Sequence, residues 1–532
     1  MTDLRVPDSY NLVELFEAVV DRVPDRVAVT CADVHRTYAE LDERANRLAN
    51  WLSAAGVGAG DHVGIYLTNG PEYLEAMFAS FKIGAVPVNI NFRYVAAELR
   101  DLFTRGELVA VVHGVEYAQR VDEVWDDCPL LRVRTSVGDD HEANLASAAA
   151  TRPGGVRSGD EHYMIYTGGT TGMPKGVVWR QEDAFFACIG GGDPMRMSGP
   201  VTSPAEVVER IIDFDFVAFP LAPLMHAAAQ WTGLSWLYCG ARLVLQPGSF
   251  DALAVWRTIE TEKVSTLIIV GDAMARPLLD VWDTEGPFDV SSMFAVGSGG
   301  APLSPVLKER LIAALPGCTI TDGFGSSETG AQGGQRLEPG VRTDGLTRFT
   351  RLGEGTTVLD DDLNEVQPGS GVVGRVALTG RIPLGYHGDP EATAEAFVEH
   401  DGRRWVVTGD AATVEEDGSI TLFGRGSTSI NTGGEKVFPE EVEGALKAHP
   451  SVFDCIVVGV PDERFGQAVA AVVAATPGHS PDLATLAEHC KSLVAGYKVP
   501  RSLVVVDAIV RSPAGKPDVR WAKDLAISAL PS

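Results

Sequence analysis

Thr37-Tyr38-Ala39-Glu40 sets a hydroxyl three residues ahead of a carboxylate, the reciprocal capping pattern of a helix start, and Leu41, Ala45, Leu48, Ala49 and Leu52 then share one face. A short helix packed on a core is predicted there. Residues 63–67 and 85–90 are apolar runs of strand length, and residues 72–82 between them have helical periodicity. Strand, helix, strand predicts a parallel sheet. The pattern weakens over 109–160, where Asp139-Asp140-His141-Glu142 and an alanine-rich segment predict an exposed excursion without chemistry. Residues 216–241 hold no Asp, Glu, Lys or Arg, but Pro220, Pro223, His226 and Gln230 interrupt them, so the expectation is a buried strand, a turn and a core helix, not a membrane span.

Strand patterns recur at 163–166, 266–270, 293–296, 372–378 and 405–407, and Asp417-Gly418 marks a hairpin turn. The three glycines at 190–192 open a stretch to residue 204 that predicts an irregular loop, its methionines either filling core gaps or walling a pocket. From residue 425 the order changes to helix (440–446), two strands (455–460, 467–475), helix (483–493) and strand (502–506). The expected fold class is therefore α/β: a large N-terminal domain of parallel and mixed sheets with flanking helices over 1–424, a hinge at 425–430, and a small C-terminal α+β domain over 431–532.

Charge narrows the chemistry. The balance of 44 basic against 72 acidic residues gives a net charge of -28 in 532 residues, which argues against nucleic-acid and anionic-membrane surfaces. A polyphosphate site in this chain then needs local compensation by lysine, arginine and a divalent metal. Seven scattered cysteines without C-x-x-C predict free thiols in a reducing compartment, and the first residues, MTDLRVPDSYN, carry no apolar signal segment. A cytoplasmic protein is expected, and a homodimer stays open.

One stretch answers the need for local compensation. Residues 166–177, YTGGTTGMPKGV, hold four glycines, three threonines and Lys175 directly after a strand pattern. Glycines let the backbone turn its N–H groups toward an anion, threonines add hydroxyl donors, and the lysine adds a mobile positive charge. The spacing is not G-x-x-x-x-G-K-S/T, so a different nucleotide-binding architecture is implied. A flexible linker of the same composition is the bland alternative, and two adjacent threonines after two glycines weigh against it.

Thr167, Gly168, Gly169, Thr170, Thr171, Gly172, Met173, Pro174, Lys175 and Gly176 resemble throughout the phosphate-binding signature of the adenylate-forming superfamily, which holds acyl-CoA synthetases, peptide-synthetase adenylation domains and firefly-type luciferases. Other stretches resemble the family in its own order. Pro223-Leu224-Met225-His226 is similar to a motif whose histidine lines the mouth of the acyl pocket, although a lone histidine among apolar residues is ordinarily a core residue. The block at 297–302 resembles the adenine-side wall, which assigns Gly299, Gly300 and Ala301 to the nucleotide. Asp322, Gly323, Phe324, Gly325 and Ser327 lie in a stretch where the family stacks an aromatic ring on adenine, and Glu328 is in the place of its Mg2+-holding glutamate, with Thr167 as a second ligand. Asp410, after Thr408-Gly409, resembles the carboxylate that binds both ribose hydroxyls; an aspartate after glycine is otherwise a turn residue.

Arg425 opens a segment similar to the family's hinge, with Ser427 where Lys or Asp is usual and Asn431 where lysine is common. Gly433 and Gly434 resemble the pair beside the pantetheine arm in CoA-forming members, and Lys516, in RSPAGK, resembles the lysine that meets the carboxylate and the α-phosphate. The resemblance runs from about residue 38 to residue 516 and extends in wording to actinobacterial acyl-CoA synthetases, a branch with ligases for steroid side-chain acids and longer fatty acids. It implies an enzyme that uses ATP and Mg2+ to activate a carboxylic acid substrate as an acyl-adenylate, with Lys516, His226 and Glu328 as catalytic residues, and passes the acyl group to coenzyme A. No carrier domain follows Lys516 in this sequence, so CoA is the expected acceptor. An adenylating protein with another acceptor and an inactive AMP- or acyl-binding regulator are the competing readings; a serine hydrolase is disfavoured because G-x-S-x-G is absent.

Overall fold

The computed structural model describes residues 6–167, 174–337, 348–353, 355–425, 429–432, 435–462, 466–511 and 517–530. The predicted capping box is formed: Glu40 N–H donates to Thr37 Oγ1 at 3.1 Å and Thr37 N–H to Glu40 Oε2 at 2.8 Å, starting the helix Tyr38–Ala54. Its buried face carries Leu41, Ala45, Leu48, Ala49 and Leu52. It packs with the helices Leu12–Arg22 and Pro71–Lys82, whose Phe16 and Phe78 rings stack at 3.9 Å in the main core. Burial of each ring is worth roughly 1.5–3 kcal/mol. Within this layer Lys82 lies fully buried, 2.6 Å from both Glu17 and Asp42.

The strand–helix–strand pattern is a parallel pair, Val86–Asn89 beside His62–Tyr66, in a four-stranded parallel sheet completed by Leu108–Gly114 and Val133–Val137. These last two strands correct the expected excursion over 109–160. Leu108–Gly114 is buried throughout and has no alternation to read, while Val133–Val137 alternates over only a few residues. The acidic run at 139–142 forms the first turn of the helix Asp139–Ser147, where negative charge suits the helix dipole, while His141 points inward, fully buried against Glu75 at 3.3 Å.

A larger, fourteen-stranded sheet carries six parallel strands in the order Val27–Cys31, Arg242–Leu245, Val217–Pro220, Thr266–Ile269, Ala295–Gly299 and Thr319–Ser326. It then continues antiparallel through Gly330–Leu337, Arg348–Arg351, Ile420–Arg425, Arg403–Val414 and Gly374–Thr379 to Thr356–Leu359. The charge-free stretch gives the strand Val217–Pro220, a turn and the helix Ala227–Leu237; among the described residues no helix is long and apolar enough to cross a membrane. The strand expected at 293–296 starts later and runs through Gly297 to Gly299, because flat pairing with Gly323 on its neighbour tolerates glycine there. Gly190, Gly191 and Gly192 all take positive φ in an irregular loop; a Cβ on Gly191 would meet the Phe186 ring at 2.9 Å. Met195 and Met197 in that loop are 44% and 79% exposed, so they fill no core gap.

The small C-terminal unit follows the expected order: Pro439–Lys447, Val452–Asp462, Gly466–Ala475, Leu483–Lys491 and Ser502–Val506, with a further helix Val519–Ser528 covering one face of its five-stranded sheet. The fold is thus mixed α/β with a large N-terminal and a smaller C-terminal domain. Lys447 reaches across to Asp272 of the large unit at 3.2 Å, and Arg276 lies 4.4 Å over the Phe453 ring. All seven cysteines are free thiols.

Candidate active site

The strand Gly176–Arg180 organises the site, because it leaves the glycine- and threonine-rich stretch and touches three of the other elements. On one side Thr167 N–H donates to the Lys175 carbonyl at 3.0 Å, which pins the two ends of the loop together. Gly168, Gly169, Thr170, Thr171 and Gly172 lie outside the described residues, as do Gly433, Gly434 and Lys516. On its other edge the strand pairs with Gly385–Tyr386, Val177 opposite Tyr386. From its far half the buried Trp179 donates its indole N–H to the Ser327 carbonyl at 3.0 Å, fixing the turn that carries Glu328.

These contacts bring two sequence-predicted residues to one tyrosine. The Lys175 ammonium sits 4.9 Å over the Tyr386 ring, and the Tyr386 hydroxyl donates to Glu328 Oε1 at 3.0 Å. Cation, ring and carboxylate therefore stand in series, with the second Glu328 oxygen available for a hard cation. Ser326 Oγ accepts the Glu328 N–H at 3.2 Å, and Thr329 Oγ1 accepts the Ser326 N–H at 3.0 Å, so the turn is held at its backbone and the carboxylate is left for chemistry. A carboxylate oxygen is a hard donor of the kind that Mg2+ takes.

A second residue that the pattern does not single out links Tyr166, before the glycine- and threonine-rich stretch, to the turn that carries His226. Asn89, buried at a strand end, accepts the Tyr166 N–H at 2.7 Å and donates to the carbonyls of Tyr166 at 3.0 Å and Met225 at 2.6 Å. His226 follows directly and precedes the helix Ala227–Leu237, half-buried. Behind it Gln230 accepts from Tyr163 at 2.7 Å and donates to Tyr73 at 3.0 Å. Hydrogen bonds thus tie together the strand before the glycine- and threonine-rich stretch, the turn bearing His226 and the start of this helix.

Gly299, at the end of its strand, is the opposite partner of Gly323 on the neighbouring parallel strand, and Gly300 follows at φ 80°. Phe324 lies half-buried with its ring 4.7 Å from Phe349, and Gly333 on the adjacent strand leaves it room: a Cβ there would stand 2.1 Å from the ring. Gly325 is close against the Gly330 carbonyl. Asp322 departs from the expectation. Its carboxylate is buried and paired with the buried Lys308 at 2.8 Å, which also donates to Gln335. Burial raises this carboxyl above its ordinary range, although Lys308 pulls the other way. The side chain anchors the strand, and only its backbone borders the site. Asp410 and Arg425 are backbone partners across the strands Arg403–Val414 and Ile420–Arg425, so Thr408-Gly409-Asp410 lies within a strand and beside the passage to the small domain.

Residues 16–386 match the AMP-binding enzyme family, and residues 441–516 match the AMP-binding enzyme C-terminal domain. The chain belongs to this family. It is 47% identical over 97% of its length to a 3-oxocholest-4-en-26-oate–CoA ligase of Rhodococcus rhodochrous, covering 95% of that protein. It is also 47% identical to a medium/long-chain-fatty-acid–CoA/3-oxocholest-4-en-26-oate–CoA ligase of Mycobacterium tuberculosis, covering 97% of this chain and 96% of that one. The crystal structure of an anthranilate CoA ligase in complex with anthranoyl-AMP superposes with a TM-score of 0.84 over 98% of both chains at 23% identity, a likeness of fold. Family membership accounts for the order of the sequence motifs. Tyr386, Trp179 and Asn89 carry no sequence signal beyond an aromatic set among glycines at 385–388, because their partners are far away in the chain.

Proposed function

We propose that this chain is an AMP-forming acid–thiol ligase: it joins a carboxylate to the α-phosphate of ATP with release of pyrophosphate, then transfers the acyl group to CoA with release of AMP. The observation that carries this reading is the series Lys175, Tyr386, Glu328 at the mouth of the phosphate-type loop. The substrate class we assign is a medium- or long-chain fatty acid or a steroid side-chain acid, supported by the substrates in the relatives' names.

Adenylation requires two anions to meet and the charge on a pentavalent phosphorus to be neutralised. In this reading Thr167, Gly168, Gly169, Thr170, Thr171, Gly172 and Lys175 cradle the β- and γ-phosphates. Glu328 with Thr167 would hold Mg2+, which when bound neutralises phosphate charge. Phe324, with Gly299, Gly300, Ala301, Gly323, Gly325 and Ser327, borders the adenine, and Asp410 takes the ribose hydroxyls. His226 orients the carboxylate at the pocket mouth, held in place through Asn89 and Met225. Lys516 supplies a cation to the carboxylate and α-phosphate. Thiolysis then uses a different face of the small domain, residues 431–532, which turns about 425–430 relative to residues 1–424 and brings Gly433 and Gly434 to the thiol arm.

The test is pyrophosphate release with ATP and Mg2+, with and without CoA, across short, medium and long fatty acids, aryl acids and steroid side-chain acids. Release with long-chain or steroid acids, accompanied by AMP and an acyl-CoA, is expected; release confined to aryl or short acids overturns the substrate class, and release without a CoA product overturns the acceptor. In Lys516→Ala, adenylation is expected to fall at least about a hundredfold, the loss of a transition-state charge donor, while thioester formation from supplied acyl-AMP is spared. Equal losses in both steps assign Lys516 a structural role instead. A bis-maleimide tie between Asp272→Cys and Lys447→Cys is expected to slow one half-reaction and retain the other; two unaltered rates would remove the turning domain.

A further inference from the structure

Close to Pro174 and Gly176, at the exit of the glycine- and threonine-rich stretch, His62, Glu107 and His387 bring one ligand atom each to within 4.8 Å of one another. The residues come from three elements: His62 starts a strand of the four-stranded sheet, Glu107 precedes the next strand, and His387 follows the strand Gly385–Tyr386. His387 Nε2 is 3.2 Å from Glu107 Oε2, and the two imidazoles meet edge to face at 4.8 Å. His62 is buried, and its Nδ1 lies 2.6 Å from the Gly106 carbonyl. A carbonyl only accepts, so Nδ1 carries the hydrogen and Nε2 keeps its lone pair. That is the arrangement by which a second-layer bond fixes a metal-ligating histidine in its tautomer and orientation.

We propose that His62, Glu107 and His387 form a binding site for a zinc-type divalent cation, with water as the fourth ligand. Two imidazoles and one carboxylate suit Zn2+ and its first-row neighbours, while Mg2+ demands an oxygen shell. Tetrahedral Zn–N and Zn–O bonds of about 2.0–2.2 Å put ligand atoms about 3.4 Å apart; His387 and Glu107 already stand at 3.2 Å, and the separations of up to 4.8 Å must close by at most about 1.4 Å. Glu107 is more than half exposed and free to adjust, and the His387 ring moves its hydrogen to Nδ1 as Nε2 turns to the ion. The consequence is local. His387 N–H donates to the Gly176 carbonyl at 2.7 Å, and Arg105 donates to the Pro174 carbonyl at 3.1 Å, so an ion here clamps the exit of the phosphate-type loop to the four-stranded sheet.

The test is titration calorimetry of the EDTA-treated, full-length protein with ZnCl2 in a large excess of Mg2+. One ion per chain is expected, with affinity reduced at least about tenfold in Glu107→Gln and in His387→Gln. Both changes lie at the half-buried or exposed end of the site, so folding is kept; circular dichroism checks this, and His62→Gln serves as a third variant only if it folds. Zn2+ is also expected to raise the melting temperature of the wild-type protein by about 2 °C or more and to leave His387→Gln unmoved. No saturable binding near one equivalent in the wild type, or undiminished binding in the Glu107→Gln/His387→Gln double variant, overturns the site. Neither outcome bears on the ligase reading, which the pyrophosphate assay tests without zinc.

Discussion

Removing the Tyr386 hydroxyl takes a donor from Glu328 while leaving the ring under Lys175. Tyr386→Phe is therefore expected to lower acid-dependent pyrophosphate release about fivefold, the rate equivalent of roughly 1 kcal/mol for one hydrogen bond, and to raise the Mg2+ concentration needed for half-maximal rate. Tyr386→Ala, which loses the ring as well, should cost more. Initial rates across a Mg2+ series separate the two; identical rates for Phe and wild type would mean that the hydroxyl contributes nothing to the carboxylate's position. Asn89 shows the same principle through the backbone. One buried amide satisfies three main-chain groups from two distant segments, so what it secures is the relative placement of loop and acyl mouth.

Elements explain why glycines gather where the nucleotide is proposed to lie. The strand Ala295–Gly299 ends in glycine, Thr319–Ser326 carries Gly323 and Gly325, and the neighbouring Gly330–Leu337 keeps Gly333 directly beneath Phe324. Gly333→Ala drives a methyl into the ring and is expected to raise the KM for ATP about tenfold or more, since base–aromatic stacking is worth roughly 1–3 kcal/mol, with little change in melting temperature because the ring is only half-buried. An ATP titration of adenylation rate decides it; an unchanged KM would dissociate Phe324 from the adenine. Long elements were legible in the chain. The helix Tyr38–Ala54 announces itself by capping and period, and the small domain by its order of helix and strand. Leu108–Gly114 was not, because a strand buried throughout shows neither alternation nor helical spacing, and Val133–Val137 alternates over too few residues to stand out from a loop. The same holds for Asp322: its motif suggests a ligand, but only the three-dimensional neighbourhood reveals Lys308 beneath it.

For the whole molecule, acid stability depends on buried carboxylates. Burial alone would raise the Glu17 carboxyl, but Lys82 at 2.6 Å and Arg157 at 2.7 Å outweigh it and hold it below its usual value of 4.5. Burial likewise pushes the Asp454 carboxyl of the small domain up, and Lys447 with Arg511 overcomes this and holds it below its usual value. A carboxyl depressed in the folded state contributes stability that is complete above its unfolded value and is lost as pH falls through the folded one. Urea midpoints should therefore be level from about pH 7 to 5 and fall below about pH 4.5, and the fall should be shallower in a variant lacking Glu17 that still folds. A midpoint independent of pH over that window would remove these pairs from the stability of the fold.

The class of protein and most candidate site residues are legible along the chain, because capping, periodicity and the glycine-, threonine- and lysine-bearing stretches are local patterns, readable within a few residues. The tertiary structure alone decided which of them meet. Lys175 and Glu328 are joined by Tyr386, loop and acyl mouth by Asn89, and His62, Glu107 and His387 by three separate elements. Each of these contacts spans tens to hundreds of residues, and no pattern along the chain encodes a distance across the fold.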